Sequence, residues 1–129
     1  MSVVALVVDD SMVIRHTICR FLEQRGFAVE SVSNGVEALE ILKRIRPSVL
    51  ITDMKMPVMG GSELITALKG KPETANIPIV IVTSRSCGYD SKETRAQFTI
   101  FKDIDIEQQL EKTLAALNLQ QAKAQASAK

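Results

Sequence analysis

Five residues carry side chains able to do chemistry together: Asp9, Asp10, Asp53, Thr83 and Lys102. Each lies at the end of a short apolar run: Val3 to Val8 before Asp9-Asp10, Val49 to Thr52 before Asp53, Ile77 to Val82 before Thr83, and Phe98 to Phe101 before Lys102. A buried carboxylate without a partner is costly in a core. It is expected at the mouth of an open parallel sheet, where ligands sit beyond the carboxyl ends of the strands. Three carboxylates at one edge repel one another and raise each other's pKa unless a cation is present. A hard, oxygen-preferring divalent ion such as Mg²⁺ resolves that conflict and leaves coordination positions for water and phosphate. Lys102 adds an ammonium over the same cleft and Thr83 a hydroxyl. Carboxylate nucleophile, metal, lysine and hydroxyl are the parts needed to move a phosphoryl group, with Asp53 as its acceptor. Taken alone, Asp9-Asp10 reads as a turn with a helix cap. The coincidence of polar features at several strand ends turns the reading toward a site.

The elements that position these residues follow from patterning. The first run, Val3 to Val8, is β-branched and continuous, as in a strand buried on both faces. Ser11 caps a helix carrying Ile14, Ile18, Phe21 and Leu22 at helical spacing, and Gly26 stops it. Phe27 to Val32 is a second strand. Asn34 with Glu37 three residues on is a capping-box arrangement for a helix that buries Ala38, Leu42 and Ile45 and ends at Pro47. After the strand ending at Asp53, a Pro57 and Gly60 turn leads into a short helix from about Ser62 to Lys69. Pro78 sits at the start of the fourth strand, where a missing donor is tolerated. Asp105 with Gln108 opens a last helix with Ile106, Leu110, Leu114 and Leu117 as its stripe. Strands alternating with helices predict a parallel α/β sheet covered on both faces. Five strands at this length fit the flavodoxin-like order 2-1-3-4-5, a known arrangement that patterning alone does not dictate.

The chain has 129 residues, enough for one domain with a real core; 46% are hydrophobic and 24% charged. The expected domain spans residues 1–119, and residues 120–129, rich in Ala, Gln, Ser and Lys, read as a frayed or disordered tail. A net charge of +1 with interspersed signs leaves no footprint for nucleic acid. No apolar run suits membrane insertion, and the first residues lack the features of a signal peptide. Cys19 and Cys87 have no metal-ligand spacing and read as free thiols in a reducing cytoplasm. His16, between Arg15 and Arg20, reads as exposed surface.

On Asp9-Asp10, Asp53 in Asp-Met-Lys-Met-Pro-Val-Met-Gly, Thr83 in Val-Thr-Ser and Lys102 after Phe101, the chain resembles a response-regulator receiver domain of the single-domain, chemotaxis-regulator kind. The resemblance covers roughly Val3 to Leu119. It implies a stand-alone phosphoacceptor of a two-component phosphorelay, phosphorylated on Asp53 by a histidine kinase, a phosphotransfer protein or a small donor. The product would be a changed affinity for a downstream protein, so the chain is a switch and not an enzyme. Asp10 and Asp53 would bind Mg²⁺ directly with the Lys55 carbonyl, and Asp9 through water. Lys102 would pair with the phosphoryl oxygens, and Thr83 would swing to bond them. Lys55 and Arg85, two residues after Asp53 and Thr83, would border the phosphoryl group and tune its lifetime.

The sequence departs from the family between strands 4 and 5. Thr99 stands where an aromatic residue is usual, and Asp103 where proline follows the lysine. The stretch from Ser84 to Gln97 is short and has no helical apolar stripe, so the helix expected between those strands is short, displaced or absent. Tyr89 reads as an anchor for that loop. These departures keep a second reading open, a phosphorylation-independent pseudo-receiver acting as an interaction module. A third, a Mg²⁺-dependent phosphatase resembling haloacid dehalogenases, requires an Asp-x-Asp pattern and a cap segment; Asp9-Asp10-Ser11 offers neither.

Overall fold

Apolar side chains alternate along every central strand, and the two sets serve two separate cores. Strands β1 (Val4–Val8), β2 (Ala28–Val32), β3 (Val49–Asp53), β4 (Ile79–Thr83) and β5 (Phe98–Phe101) form one parallel sheet in the order β2-β1-β3-β4-β5. One face carries Ala5, Val7, Val49, Ile51, Val80, Val82 and Ile100, covered by helices α1 (Met12–Gln24) and α4 (Ile106–Ala116) through Ile18, Leu22, Leu110 and Leu114. The other carries Leu6, Val8, Leu50, Ile79 and Ile81, covered by α2 (Gly35–Ile41) and α3 (Gly61–Lys69) through Ala38, Leu64, Ile65 and Leu68. This is the flavodoxin-like order 2-1-3-4-5 expected above, with the parallel α/β layering that the patterning predicts. The computed structural model describes residues 3–54, 58–83, 98–102 and 105–117. The segment expected to hold a short helix before β5, with Arg85, Cys87 and Tyr89, lies outside the described residues, as do Lys55, Pro57, Asp103 and the tail 120–129. Among the described residues no helix is long and apolar enough to cross a membrane.

The caps behave as their residue types require. Ser11 Oγ accepts from the Ile14 amide at 3.3 Å, Asn34 Oδ1 from Glu37 at 2.9 Å, and Asp105 Oδ1 from Gln108 at 3.2 Å. The Asn34 box closes one residue early: Glu37 Oε1 accepts from the Ser33 amide and hydroxyl, each at 2.9 Å. Several boundaries differ from the pattern. Phe27 belongs to the α1 stop, its amide donating to Leu22 O at 3.1 Å, while Gly26 takes φ 90°. Helix α2 ends at Ile41, well before Pro47, because the next turn tightens to Lys43–Glu40 and Arg44–Ile41 bonds. Ile77 lies in a turn, bonded to Thr74 O at 3.2 Å, and pairing across β4 begins with Pro78 O, which accepts from Leu50 at 2.9 Å.

Every residue of β3 is buried, whereas β2, at the sheet edge, is largely exposed. Ile51→Ala should therefore cost about 2–5 kcal/mol in urea denaturation, as other buried truncations do. Glu30→Ala on β2 should stay within about 0.5 kcal/mol. Equal effects would contradict this division of the sheet.

Candidate functional site

The order β2-β1-β3-β4-β5 brings the ends of β1 and β3 side by side, and Val8 pairs with Thr52 in register. Asp9 and Asp53 thus leave neighbouring strands one residue later. Both are buried, at 1% and 5% exposure, while Asp10 next to them is exposed. Ligand oxygens of Asp9, Asp10 and Asp53 all lie within 4.8 Å of one another. Lys102, directly after β5, reaches across β4 to this cluster. Its ammonium donates to Asp53 Oδ2 at 3.0 Å and lies 3.3 Å from Asp9 Oδ2. The backbone behind it is fixed by Lys102 N donating to Thr83 O at 2.7 Å.

The other carboxylate oxygens are held locally. Asp9 Oδ1 accepts from the Ser11 amide at 2.8 Å, and Asp53 Oδ1 from the Met54 amide at 2.8 Å. Asp9 Oδ2 is different. It is buried, and its one close polar neighbour among the described residues is the Lys102 ammonium at 3.3 Å, longer than that ammonium's bond to Asp53. A buried carboxylate oxygen placed this way keeps lone pairs to offer a cation, and two further hard oxygen donors stand beside it. The residues present fit a divalent ion of the Mg²⁺ type.

Electrostatics follow from the crowding. Burial pushes the Asp9 carboxyl above the usual carboxylate range; the Asp53 charge adds to this, while the Ser11 amide and Lys102 oppose it. For Lys102, burial alone would lower the pKa, but the Asp53 and Asp9 carboxylates outweigh it and hold the ammonium above its ordinary value. Thr83 ends β4, one residue beyond the Val82 that pairs with Asp53, and is buried at 3% exposure. Thr99 is half-buried in β5 opposite Ile81, so no aromatic side chain occupies that position. His16 is exposed, as its surroundings predict.

Two supports escaped sequence reasoning. Arg15 Nη1 donates to Asp9 O at 2.8 Å, bracing the turn that aims Asp9. Its place one turn into α1 gave only the signal of a basic residue among others. Gly61 starts α3 hard against Asp53. A Cβ there would meet Asp53 O at 2.5 Å and Met54 Sδ at 2.9 Å, while its amide donates to Met54 O at 3.0 Å. The same turn holds Val58 at φ 71°, a left-handed backbone that β-branched residues seldom adopt.

The family model for the response regulator receiver domain matches residues 5–122. The response regulator MprA of Mycobacterium tuberculosis is 39% identical over 85 residues, covering 66% of this chain and 36% of that protein. The chain spans about a third of the length of the curated relatives it matches. Among solved structures, the chemotaxis response regulator CheY4 of Vibrio cholerae superposes with a TM-score of 0.80 at 30% identity, covering 91% of this chain and 99% of that one. The receiver domain of the sensor histidine kinase PA1611 of Pseudomonas aeruginosa shares the fold at 20% identity, with a TM-score of 0.81 and coverage of 91% and 98%. That protein is described with a magnesium ion coordinated in its active-site cleft.

Removing the Lys102 cation, which faces both buried carboxylates, should be costly. Lys102→Met in metal-free buffer is expected to lose about 3 kcal/mol by chemical denaturation, since breaking a buried pair leaves uncompensated charge. Adding Asp9→Asn should recover part of that loss by removing one of the stranded charges. A double variant no more stable than the single one would count against this electrostatic account.

Proposed function

Because this chain belongs to the response regulator receiver family, we propose that Asp53 accepts a phosphoryl group at this cleft and that the phosphorylated form binds a different set of proteins. The observation that carries the reading is the placement of Asp53: a buried carboxylate that shares the Lys102 ammonium with Asp9 and lies within reach of the ligand oxygens of Asp9 and Asp10. A carboxylate oxygen of Asp53 forms the new O–P bond as the donor's P–N or P–O bond breaks. The leaving group departs with the bonding pair: an imidazole nitrogen from a P–N donor takes a proton from solvent, and a carboxylate from an acyl phosphate leaves as the anion. Lys102 counters charge on the phosphoryl oxygens from the position it already holds. Thr83 supplies a hydroxyl to the same oxygens and ties them to β5 through the Thr83–Lys102 backbone bond.

Asp9, Asp10 and Asp53 would hold the divalent ion, joined on the family pattern by the Lys55 carbonyl. When bound, Mg²⁺ supplies the positive charge that lets carboxylates and a phosphoryl group share one small site. The magnesium described for the PA1611 receiver supports that assignment. The chain would be a phosphoacceptor switch and not a turnover enzyme, with Lys55 and Arg85 tuning the lifetime of the adduct. Thr99 favours one second reading, a pseudo-receiver that binds partners without phosphorylation, because the usual aromatic coupling residue is missing.

Intact-mass spectrometry with acetyl phosphate decides between them. One phosphoryl group should be gained only with Mg²⁺ present and Asp53 intact. No gain in folded, Mg²⁺-binding protein, even with histidine kinases supplied, would leave the pseudo-receiver. A gain unaffected by Asp53→Asn would remove the site assignment.

A protein donor is supported by the rim. The large hydrophobic residues most exposed among the described ones are Met12, Val13, Val36 and Val58. All lie in the first turns of α1 and α2 or in the β3–α3 turn, which the topology places at the edge where the carboxylates emerge. An apolar collar around an anionic cleft suits a cytoplasmic histidine kinase or phosphotransfer protein presenting a phosphohistidine. Met12→Glu with Val13→Glu should slow transfer from such a protein by roughly 10-fold, the loss of 1–2 kcal/mol of interface, and leave acetyl phosphate labelling unchanged. Equal slowing with both donors would show that the collar is not a docking surface.

A further inference from the structure

Strand β5 ends the sheet order, so among the described residues no strand pairs with the backbone polar groups on its outer side. At Phe101, the residue before Lys102, a side chain takes that role. Gln109 of α4 accepts from the Phe101 amide through Oε1 at 3.0 Å and donates from Nε2 to the Phe101 carbonyl at 2.8 Å. Its Nε2 also lies 3.2 Å from Asp105 O. A primary amide used in this way reproduces, for one residue, the paired donor and acceptor of a further strand. On the inner side, Lys102 N donates to Thr83 O at 2.7 Å. The peptide unit joining Phe101 to Lys102 is therefore gripped from both sides, its carbonyl by Gln109 and its N–H by β4.

We infer that Gln109 is a positioning residue for Lys102: its amide clamps the end of β5 so that the ammonium stays between Asp53 and Asp9. Docking of α4 does not need this amide, because Leu110 and Leu114, both buried, carry the packing on the sheet. Nor does Gln109 touch the carboxylates. What it controls is where the Lys102 stem begins. A stem with four rotatable methylenes gives a directed ammonium only if its root is fixed, and a displacement of about 1 Å near a reacting centre can cost up to roughly 100-fold in rate. The structural part of the inference stands on the hydrogen bonds; its kinetic part rests on the phosphoacceptor reading.

Gln109→Met keeps the length of the side chain and removes both bonds. Gln109→Glu keeps an acceptor for the Phe101 amide but sets oxygen against the Phe101 carbonyl. The side-chain ε-methylene NMR signal of Lys102, assigned by its loss in Lys102→Arg, reports the ammonium's placement without any reaction. In both variants it is expected to move toward the position of exposed lysines, while the remaining lysine signals and Mg²⁺ affinity stay unchanged. Adduct formation from acetyl phosphate should fall roughly 10-fold, below the largest losses seen for misplacement. A Lys102 signal unchanged in either folded variant would overturn the clamp. An unchanged adduct rate, where the wild type reacts, would overturn its service to the reaction. If the wild type forms no adduct, the phosphoacceptor reading fails, and the Lys102 signal still decides whether Gln109 holds the lysine.

Discussion

One ammonium against two buried carboxylates is the constraint around which this molecule is arranged. Lys102 faces Asp53 Oδ2 and Asp9 Oδ2 from a side chain that is itself only 19% exposed. Desolvating these charges is unfavourable, and their attraction offsets it only where geometry is good and the remaining lone pairs are satisfied. Here the satisfaction is uneven. Asp53 has both oxygens bonded, to Met54 and Lys102, whereas Asp9 has one oxygen bonded and one stranded. The described residues thus leave the cluster less neutralised on the Asp9 side, next to the exposed Asp10. That imbalance fits a cluster that is completed from outside.

The fold is a means of making this arrangement rigid. Three strands deliver the three parts, and each is fixed by a different device. Asp9 hangs from β1, whose end is braced by Arg15 on its carbonyl and by its own amide on Val32 O at 3.1 Å. Asp53 ends a strand buried on all sides, with α3 started hard against it because Gly61 has no Cβ. Lys102 follows the last strand of the sheet, whose outer side is met by Gln109 at Phe101. The two hydrophobic cores set the distances between strands, and these local contacts set the directions of the polar side chains. Core packing explains why the site exists at all; the contacts explain its aim.

Much of this was legible in the sequence, and the reason lies in periodicity. The β-branched runs of β1, β3 and β4 read as strands buried on both faces, and the helical stripes of α1 and α4 read as single buried faces. Once the strands are parallel, residues just past their carboxyl ends must share an edge, so Asp9, Asp10, Asp53, Thr83 and Lys102 converge by topology. What could not be read is whatever depends on side-chain reach. Arg15 on a backbone carbonyl and Gln109 on an edge strand have no spacing rule, because a long polar side chain meets many partners at the same separation. The early end of α2 was equally hidden: nothing in Leu42 to Ile45 breaks a helix, and the turn tightens only through its own backbone bonds. The start of β4 shifted for a plainer reason, since Pro78 has no N–H and can enter the ladder only as an acceptor.

The same geometry suggests why a charge change at Asp53 would be felt at the β5 edge. Asp53, Thr83 and Lys102 lie on β3, on β4 and just past β5, and the Lys102–Thr83 backbone bond ties the last two together. On the reading proposed above, phosphorylation draws both Lys102 and Thr83 toward new oxygens. On the β1 side, Arg15 and the Val32 carbonyl brace the backbone of Asp9, so that side resists. On the β5 side, among the described residues, the β4 ladder and the Gln109 amide hold the backbone, and Thr99 is half-buried where a ring would fill more space. On that reading the change reaches the edge formed by β5 and the start of α4 through the Thr83–Lys102 bond, and Gln109 stands at its joint.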